Sequence, residues 1–526
     1  MKSNANGSKG CPCCNPDSVA RKRGLFDRRS FIQGAGTLAV GGLAASPIKE
    51  ETVRTVQGDQ QSVNGVLLRQ PLKVQPVLTY RIPQRREATS WREWGGIQSE
   101  ESLAAEKERI GKELQHLSLQ TDFPLEIRGL ETVSSVEQAA PIAHKDHDVM
   151  VLFGAGGNVK ILEALTHPDK WNLLFLRHQS GPVYLWYEIA HPRYLRKTVD
   201  EYGQPGMTPH DVVVDKVEEL AIRFRALYGL KNSLGKKIVA VGGASGWGQG
   251  GRQAPDISRN LWKMDLIDYP YTDLGPRLKN AKQNSMLTRR CQEEAESQLR
   301  QPGVELRTTR SFLYNSFILR DVLKEIMAEA KTDAITINSC MGTIMPISET
   351  TACMPLSLLN DEGYLAFCES DFVVIPSGVL LHYISGKPVF LNDPTYPHDQ
   401  IVTLAHCTAP RKMDGRNLEP VKILTHFESD YGAAPKVEMK VGAPCTNLIP
   451  DFACKQWTGF LGAIVANPFM DICRSQIDVR IQGNQERLIQ EMKGFHWMMS
   501  YGDYLRETDY ALKKVGITFL NLSSKT

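Results

Sequence analysis

Four side chains in this sequence have the types and settings to hold a divalent cation or move a proton: Glu349, Glu369, His406 and His496. Glu349 stands in SETTACMPLSLLNDEG, just ahead of a predicted helix. Glu369, with Asp371 two residues on, ends the apolar run of FCESD. His406 ends another apolar run in TLAHCT, and His496 sits in the small, aromatic-flanked segment GFHWMMSYGD before the last predicted helix. Carboxylates and imidazoles at strand ends make poor core residues, because a lone buried charge is costly unless a partner or a metal compensates it. Two glutamates and two histidines brought together suit Mn²⁺, Mg²⁺ or a related divalent ion. Each residue also has a plainer role open to it. A histidine such as His406 serves as a hydrogen-bonded core residue, Glu349 as a helix N-terminal acid favoured by the dipole, and Glu369 and Asp371 as the solvated face of a loop.

The elements that must position these groups are read from periodicity. Residues 98–118 have the spacing of an exposed amphipathic helix. The stretch 147–154, HDVMVLFG, predicts a buried strand running into glycines, and 171–177, WNLLFLR, another. Helical spacing recurs over 208–230 and 321–330, with strands at 236–243 and 334–338. Strands that alternate with helices imply parallel sheets covered on both faces. After about residue 360 strand-like runs crowd together at 364–368, 388–391, 401–405 and 421–425, punctuated by Pro and Gly. A helix at 504–515 and a strand at 517–522 close the chain. The expected organisation is α/β: two Rossmann-like parallel-sheet domains followed by a β-rich C-terminal domain. The boundaries read as an N-terminal segment 1–46, a linker 47–95, an N-terminal α/β domain 96–232, a central α/β domain 233–362 and the β-rich domain 363–526.

Composition bounds the function. With 526 residues the chain is too long for one core, and 62 Lys plus Arg against 59 Asp plus Glu leave a net charge of +3. That balance lacks the basic footprint a nucleic-acid binder needs. Eleven cysteines in so long a chain do not make a disulfide scaffold. Eight of them sit mostly in apolar or strand-like runs and read mainly as buried thiols, with pairing open in an oxidising compartment. Two glycine-rich loops follow strands, Gly154-Ala-Gly156-Gly157 and Gly242-Gly243-Ala-Ser-Gly246. The first has Val159 where a dinucleotide fingerprint needs its third glycine, and the second is interrupted by Trp247. Both read as strand-to-helix turns or small-molecule loops.

Residues 21–46, RKRGLFDRRSFIQGAGTLAVGGLAAS, carry a basic stretch, the pair Arg28–Arg29 and a mild apolar run too short to span a bilayer of about 30 Å. The pair followed by Ser-Phe-Ile-Gln resembles a twin-arginine export signal. A periplasmic or otherwise exported location is expected, with an uncleaved N-terminal anchor or a disordered basic arm as alternatives. The twin-arginine machinery carries folded, cofactor-loaded cargo. The preceding Cys11-Pro-Cys13-Cys14 lacks a second ligand pair and reads as non-functional in the mature protein.

GFHWMMSYGDYLRETDYALKKVGITF resembles the C-terminal stretch of L-arabinose isomerases, and ETTACMPLSLLNDEGYLAFCESD and FLNDP…TLAHCTAP resemble corresponding parts of the L-fucose and L-arabinose isomerase superfamily. The likeness covers roughly residues 335–526 and weakens in the α/β region before it. It implies that Glu349 and Glu369 are the catalytic glutamates, and that they surround Mn²⁺ or another divalent ion together with His406 and His496. By the fucose isomerase pattern, Asp371 takes the place of Glu369 as a ligand. The arabinose pattern has a second histidine where this chain has Trp497, a departure that bears on the sugar more than on the metal. The implied activity is aldose–ketose isomerisation of a free monosaccharide through an ene-diol, in a homo-oligomer, trimer or hexamer. Phe495 and Trp497 are expected as an apolar wall for the sugar. Two other functions stay open: an exported NAD(P)-dependent sugar oxidoreductase, and a non-catalytic sugar-binding protein on the same scaffold.

Overall fold

In the strand Leu72–Thr79 the proline at position 76 determines how the neighbours pair. Proline has no N–H to give a ladder. On one side the strand pairs in two pieces, 72–74 with Leu125–Ile127 and 77–79 with Glu131–Val133, so Pro76 falls in the break. The Gln75 side-chain amide bridges the gap by donating to the Gly129 carbonyl at 3.0 Å. On the other side the strand runs parallel to Val149–Gly154, which pairs with Trp171–Leu176 and, through it, with Val212–Val214. This first parallel sheet is buried on both faces, with Val74, Val77, Val151, Leu152, Leu173 and Leu174 at zero exposure.

The computed structural model describes residues 62–63, 66–67, 69–184 and 186–524. All lie within the compact unit Thr52–Thr526, and residues 21–46, read above as resembling an export signal, lie outside the described residues.

A second parallel sheet has the spatial order Asp265–Tyr269, Lys237–Val241, Ala334–Ile337, Leu365–Cys368. Its first two strands in sequence lie beside each other at one edge, so the chain reverses direction across the sheet between Lys237–Val241 and Ala334–Ile337. In open parallel sheets, sites form beyond the carboxyl ends of the strands at such a reversal. Glu369 leaves the carboxyl end of Leu365–Cys368 directly.

The third layer is a closed antiparallel barrel. Around the ring run Pro444–Pro450, Trp497–Tyr501, Phe390–Pro394, Ile401–His406, Ser475–Gln482 and Gln456–Ala466, and the last pairs back onto the first. Closure leaves no free edge in the ring. The final strand, Thr518–Asn521, adds in parallel to Gln456–Ala466.

The observed elements revise the sequence reading at three places. Leu72–Thr79, inside the stretch expected as a linker, is the second strand across the first sheet; its proline and its polar Lys73, Gln75 and Thr79 hid a buried strand. Residues 212–214, expected as part of a helix, form an edge strand, and the helix itself is Glu218–Ser233. Three successive β-branched valines favour the pleated edge over a helix turn. Leu365–Cys368 completes the second parallel sheet and does not join the β-rich layer, so the expected boundary at 363 cuts through that sheet.

Candidate metal centre

Barrel register gathers most of the site. Asp393 lies opposite Ala405, so it neighbours His406 at the strand's end. Trp497 lies opposite Asn392, which brings the preceding residue, His496, beside Asp393. Glu369 arrives from the second sheet. The outcome is a compact group: Glu369 Oε1 is 3.7 Å from His406 Nε2, Glu369 Oε2 is 3.3 Å from His496 Nε2, and Asp393 Oδ1 is 3.3 Å from His496 Nε2. One ligand atom from each of Glu369, His406 and His496 fits within 4.8 Å of the others.

Both imidazoles are held from behind. His496 Nδ1 donates to Asp371 Oδ2 at 2.7 Å, and His406 Nδ1 shares a hydrogen bond with Thr408 Oγ1 at 3.2 Å. Asp371 is itself fixed, its Oδ1 accepting the Trp247 and Val373 backbone N–H groups at 3.1 and 3.0 Å. A carboxylate that takes one ring N–H of a histidine sets the tautomer and aims the other nitrogen, the usual support of a metal-bound imidazole. The aimed atoms, Nε2 of His406 and His496, are buried and make no well-directed hydrogen bond, and neither does Asp393 Oδ1. Buried polar atoms without partners are uncommon and call for an explanation. Three of them converging on one point, with a half-exposed glutamate at the mouth, fit a divalent cation.

The electrostatics agree. Glu369, Asp371 and Asp393 put three carboxylates around two imidazoles. Burial would raise the Glu369 carboxyl, but His406 and His496 hold it well below the usual carboxylate range. Burial would lower His496, yet Asp371 and Glu369 push it up to about 10. His406 is raised by Glu369 against the same burial effect. Asp393 is raised by burial and by the neighbouring Glu369 and Asp371, against the pull of the two imidazoles. In the absence of an ion, protons on the imidazoles supply the missing positive charge.

The backbone is strained where the second sheet meets the site. Glu369 and Ser370 have φ of 62° and 48°, left-handed values that non-glycine residues adopt at a cost of about 1–3 kcal/mol each. Ser370 N–H donates to Thr336 Oγ1 at 3.1 Å and Phe372 N–H to the Ser245 carbonyl at 3.0 Å, which pins the turn.

Of the residues expected from sequence, Glu369, His406 and His496 come together. Glu349 does not join them: its side chain is 63% exposed and pairs with Lys282 Nζ at 3.2 Å, on a left-handed backbone (φ 56°) that ends a short helix. Asp371 is placed behind His496. Asp393 went unread, although the Asn-Asp pair at the end of an apolar run was the signal for it. Trp497 is 1% exposed and packs edge-on against Phe460 in the barrel core, so it offers no wall to a ligand. A tryptophan is too large and apolar to leave a barrel lined by Met499 and Phe460. Phe495 instead stacks on Trp247, from the second glycine loop, with centroids 3.7 Å apart and both rings partly exposed. That loop uses its Trp247 N–H on Asp371, a contact with the metal-site scaffold.

No protein-family profile matches the chain, and no curated protein matches it.

Proposed function

We propose that the chain is a metal-dependent aldose–ketose isomerase acting on a free monosaccharide through an ene-diol, on an L-fucose/L-arabinose isomerase-like scaffold with two Rossmann-like sheets. The observation that carries this reading is the convergence of Glu369, Asp393, His406 and His496, with three buried polar atoms aimed at one point. These four would hold Mn²⁺ or another divalent ion. When bound, such an ion polarises adjacent sugar oxygens, a stabilisation of several kcal/mol for developing charge.

The chain's own groups supply the proton chemistry. Glu369 is the most open of the four, and its carboxylate is held ionised by the imidazoles, so it starts as a base. It takes the proton from the carbon beside the carbonyl onto a carboxylate oxygen and returns it to the neighbouring carbon. Asp371 keeps the His496 ring fixed throughout. Glu349 stays in this reading as the second acid on the resemblance alone. Trp247 and Phe495 form an exposed aromatic ledge next to His496, a surface suited to a sugar face. The twin-arginine-like segment supports an enzyme exported folded with its metal, and the resemblance supports a homo-oligomer.

The test is metal analysis of the purified chain followed by a panel of aldoses and ketoses with added Mn²⁺. The expected result is Mn²⁺-dependent interconversion of one aldose–ketose pair, reduced about 10²–10⁴-fold in Glu369→Gln. Unchanged turnover in Glu349→Gln removes that residue from the mechanism. An Mn²⁺-loaded chain inert toward the whole panel contradicts the proposal.

A further inference from the structure

Next to His406 in the chain, Cys407 points into a different cluster. Cys353, Cys407 and His426 each offer a ligand atom within 4.8 Å of the other two, and all three are buried. Cys407 also contacts the half-buried Cys473, which lies at the edge of this trio and outside its 4.8 Å limit, within reach as a fourth donor. Four separate segments contribute. Cys353 begins the helix Cys353–Asp361, Cys407 follows the barrel strand Ile401–His406, His426 lies in the loop after Val421–Leu424, and Cys473 precedes the strand Ser475–Gln482.

Buried cysteines often act simply as small apolar residues. Two features point beyond that here. A histidine sits among the thiols, and its Nδ1 is anchored by Ser429 Oγ at 3.3 Å, which leaves the ring fixed by one nitrogen as ligand imidazoles are. The Arg474 guanidinium, held by the Thr425 carbonyl at 2.8 Å, adds positive charge beside His426. On a tetrahedral zinc ion, with bonds of about 2.0–2.1 Å to nitrogen and 2.3 Å to sulfur, donors stand about 3.5–3.8 Å apart, within rotamer-scale reach of the observed spacing.

We propose that Cys353, Cys407, His426 and Cys473 form a closed structural site for a thiophilic divalent ion, Zn²⁺ in type, separate from the carboxylate–imidazole centre. A set of three cysteines and one histidine with no open position is the pattern of structural zinc. The ion would tie the segment that carries Glu349, four residues before Cys353, to the strand end that carries His406. It works as a clasp behind the candidate metal centre, and its existence does not depend on the isomerase reading.

The probe is Co²⁺ added to the full chain after reduction and chelator treatment. Sulfur-to-cobalt charge transfer in the near ultraviolet reports thiolate ligation, which the Glu369, Asp393, His406 and His496 set cannot produce. The band is expected in the wild type and in His496→Ala, and is expected to vanish in Cys407→Ala. Ser429→Ala, which loosens only the His426 anchor, is expected to weaken Co²⁺ binding at this site about 10-fold. Zn²⁺ added in excess to the Co²⁺-loaded wild type is expected to displace the cobalt and abolish the band, since thiolate ligands favour zinc. Absence of the band in the wild type, its persistence in Cys407→Ala, or its survival in excess Zn²⁺ overturns the proposal. A disulfide among Cys353, Cys407 and Cys473, found by peptide mapping of the untreated chain, overturns it as well.

Discussion

His496 is almost fully buried and has three carboxylates around it: Asp371 behind the ring, Glu369 and Asp393 in front. Its fate with pH follows from that setting. In the metal-free fold its pKa stands at about 10 against an ordinary value near 6.5. The folded state therefore binds its proton more tightly than the unfolded chain does. That contribution to stability is complete below about pH 6.5 and is lost as pH rises through about 10. A divalent ion replaces the proton and reverses the dependence, since ligation requires neutral imidazole and releases protons. Thermal melts of chelator-treated protein are expected to fall in midpoint between pH 7 and 10, and melts with Mn²⁺ to hold level or rise. Parallel declines with and without Mn²⁺ would contradict the placement of His496 in the site. At this scale the sequence was legible for Glu369 and His406, which end apolar runs where a titratable group is costly, and for His496, which stands between aromatic residues at the head of one. Asp393 was hidden by its own context: an acid next to a proline at a strand end reads equally as a turn. The part played by Trp247 could not be read, because it depends on a loop in one sheet meeting a turn in another.

Individual elements are held by charge as well as by packing. Arg177, at the end of the strand Trp171–Leu176, has no exposed side-chain surface. Its Nε donates to Glu106 at 2.6 Å and its Nη2 to Glu113 at 2.6 Å, both on the helix Glu100–Gln120. Tyr184 Oη donates to the same Glu106 oxygen at 2.5 Å. This network fastens the helix to the first sheet. Removing one partner of a buried pair leaves an uncompensated charge and costs about 3–5 kcal/mol. Arg177→Met is expected to lose that much in urea denaturation; a loss below about 1 kcal/mol would show that the network is structurally idle. The helices Glu100–Gln120, Glu218–Ser233 and Leu505–Lys514 and the strands at 149–154, 171–176 and 334–337 were legible, since long apolar or periodic runs leave few alternatives, whereas Tyr271–Gln283, Ser285–Leu299 and Ile375–Ser385 went unread. The barrel strands Pro444–Pro450, Gln456–Ala466 and Ser475–Gln482 were seen only as a β-rich texture, and the partners of Leu365–Cys368 not at all. Strand pairing is set by what lies across the ladder, which a local pattern does not record.

Across the whole molecule, the helix Glu218–Ser233 is the junction. It packs on the helix Ile375–Ser385, on Leu505–Lys514 and on the strand Leu72–Thr79, so three parts of the fold share its surface. Gly229 permits the closest approach: a Cβ there would lie 2.5 Å from Ile384 Cγ1. Gly229→Ala gains about 1 kcal/mol of helix propensity but overpacks a rigid contact, at about 1–3 kcal/mol. The net expectation is a lower melting temperature within a single transition, read by calorimetry, because one apolar cluster runs from the first sheet through this helix to Ile375–Ser385 and Leu505–Lys514. A separate early transition would show that the junction uncouples first.

The most direct measurement is anomalous diffraction from crystals grown with Mn²⁺. The expected result is one peak within about 2.0–2.6 Å of Glu369, Asp393, His406 and His496 together. A fully loaded crystal with no density among these four side chains, or with the ion bound elsewhere, would contradict the account.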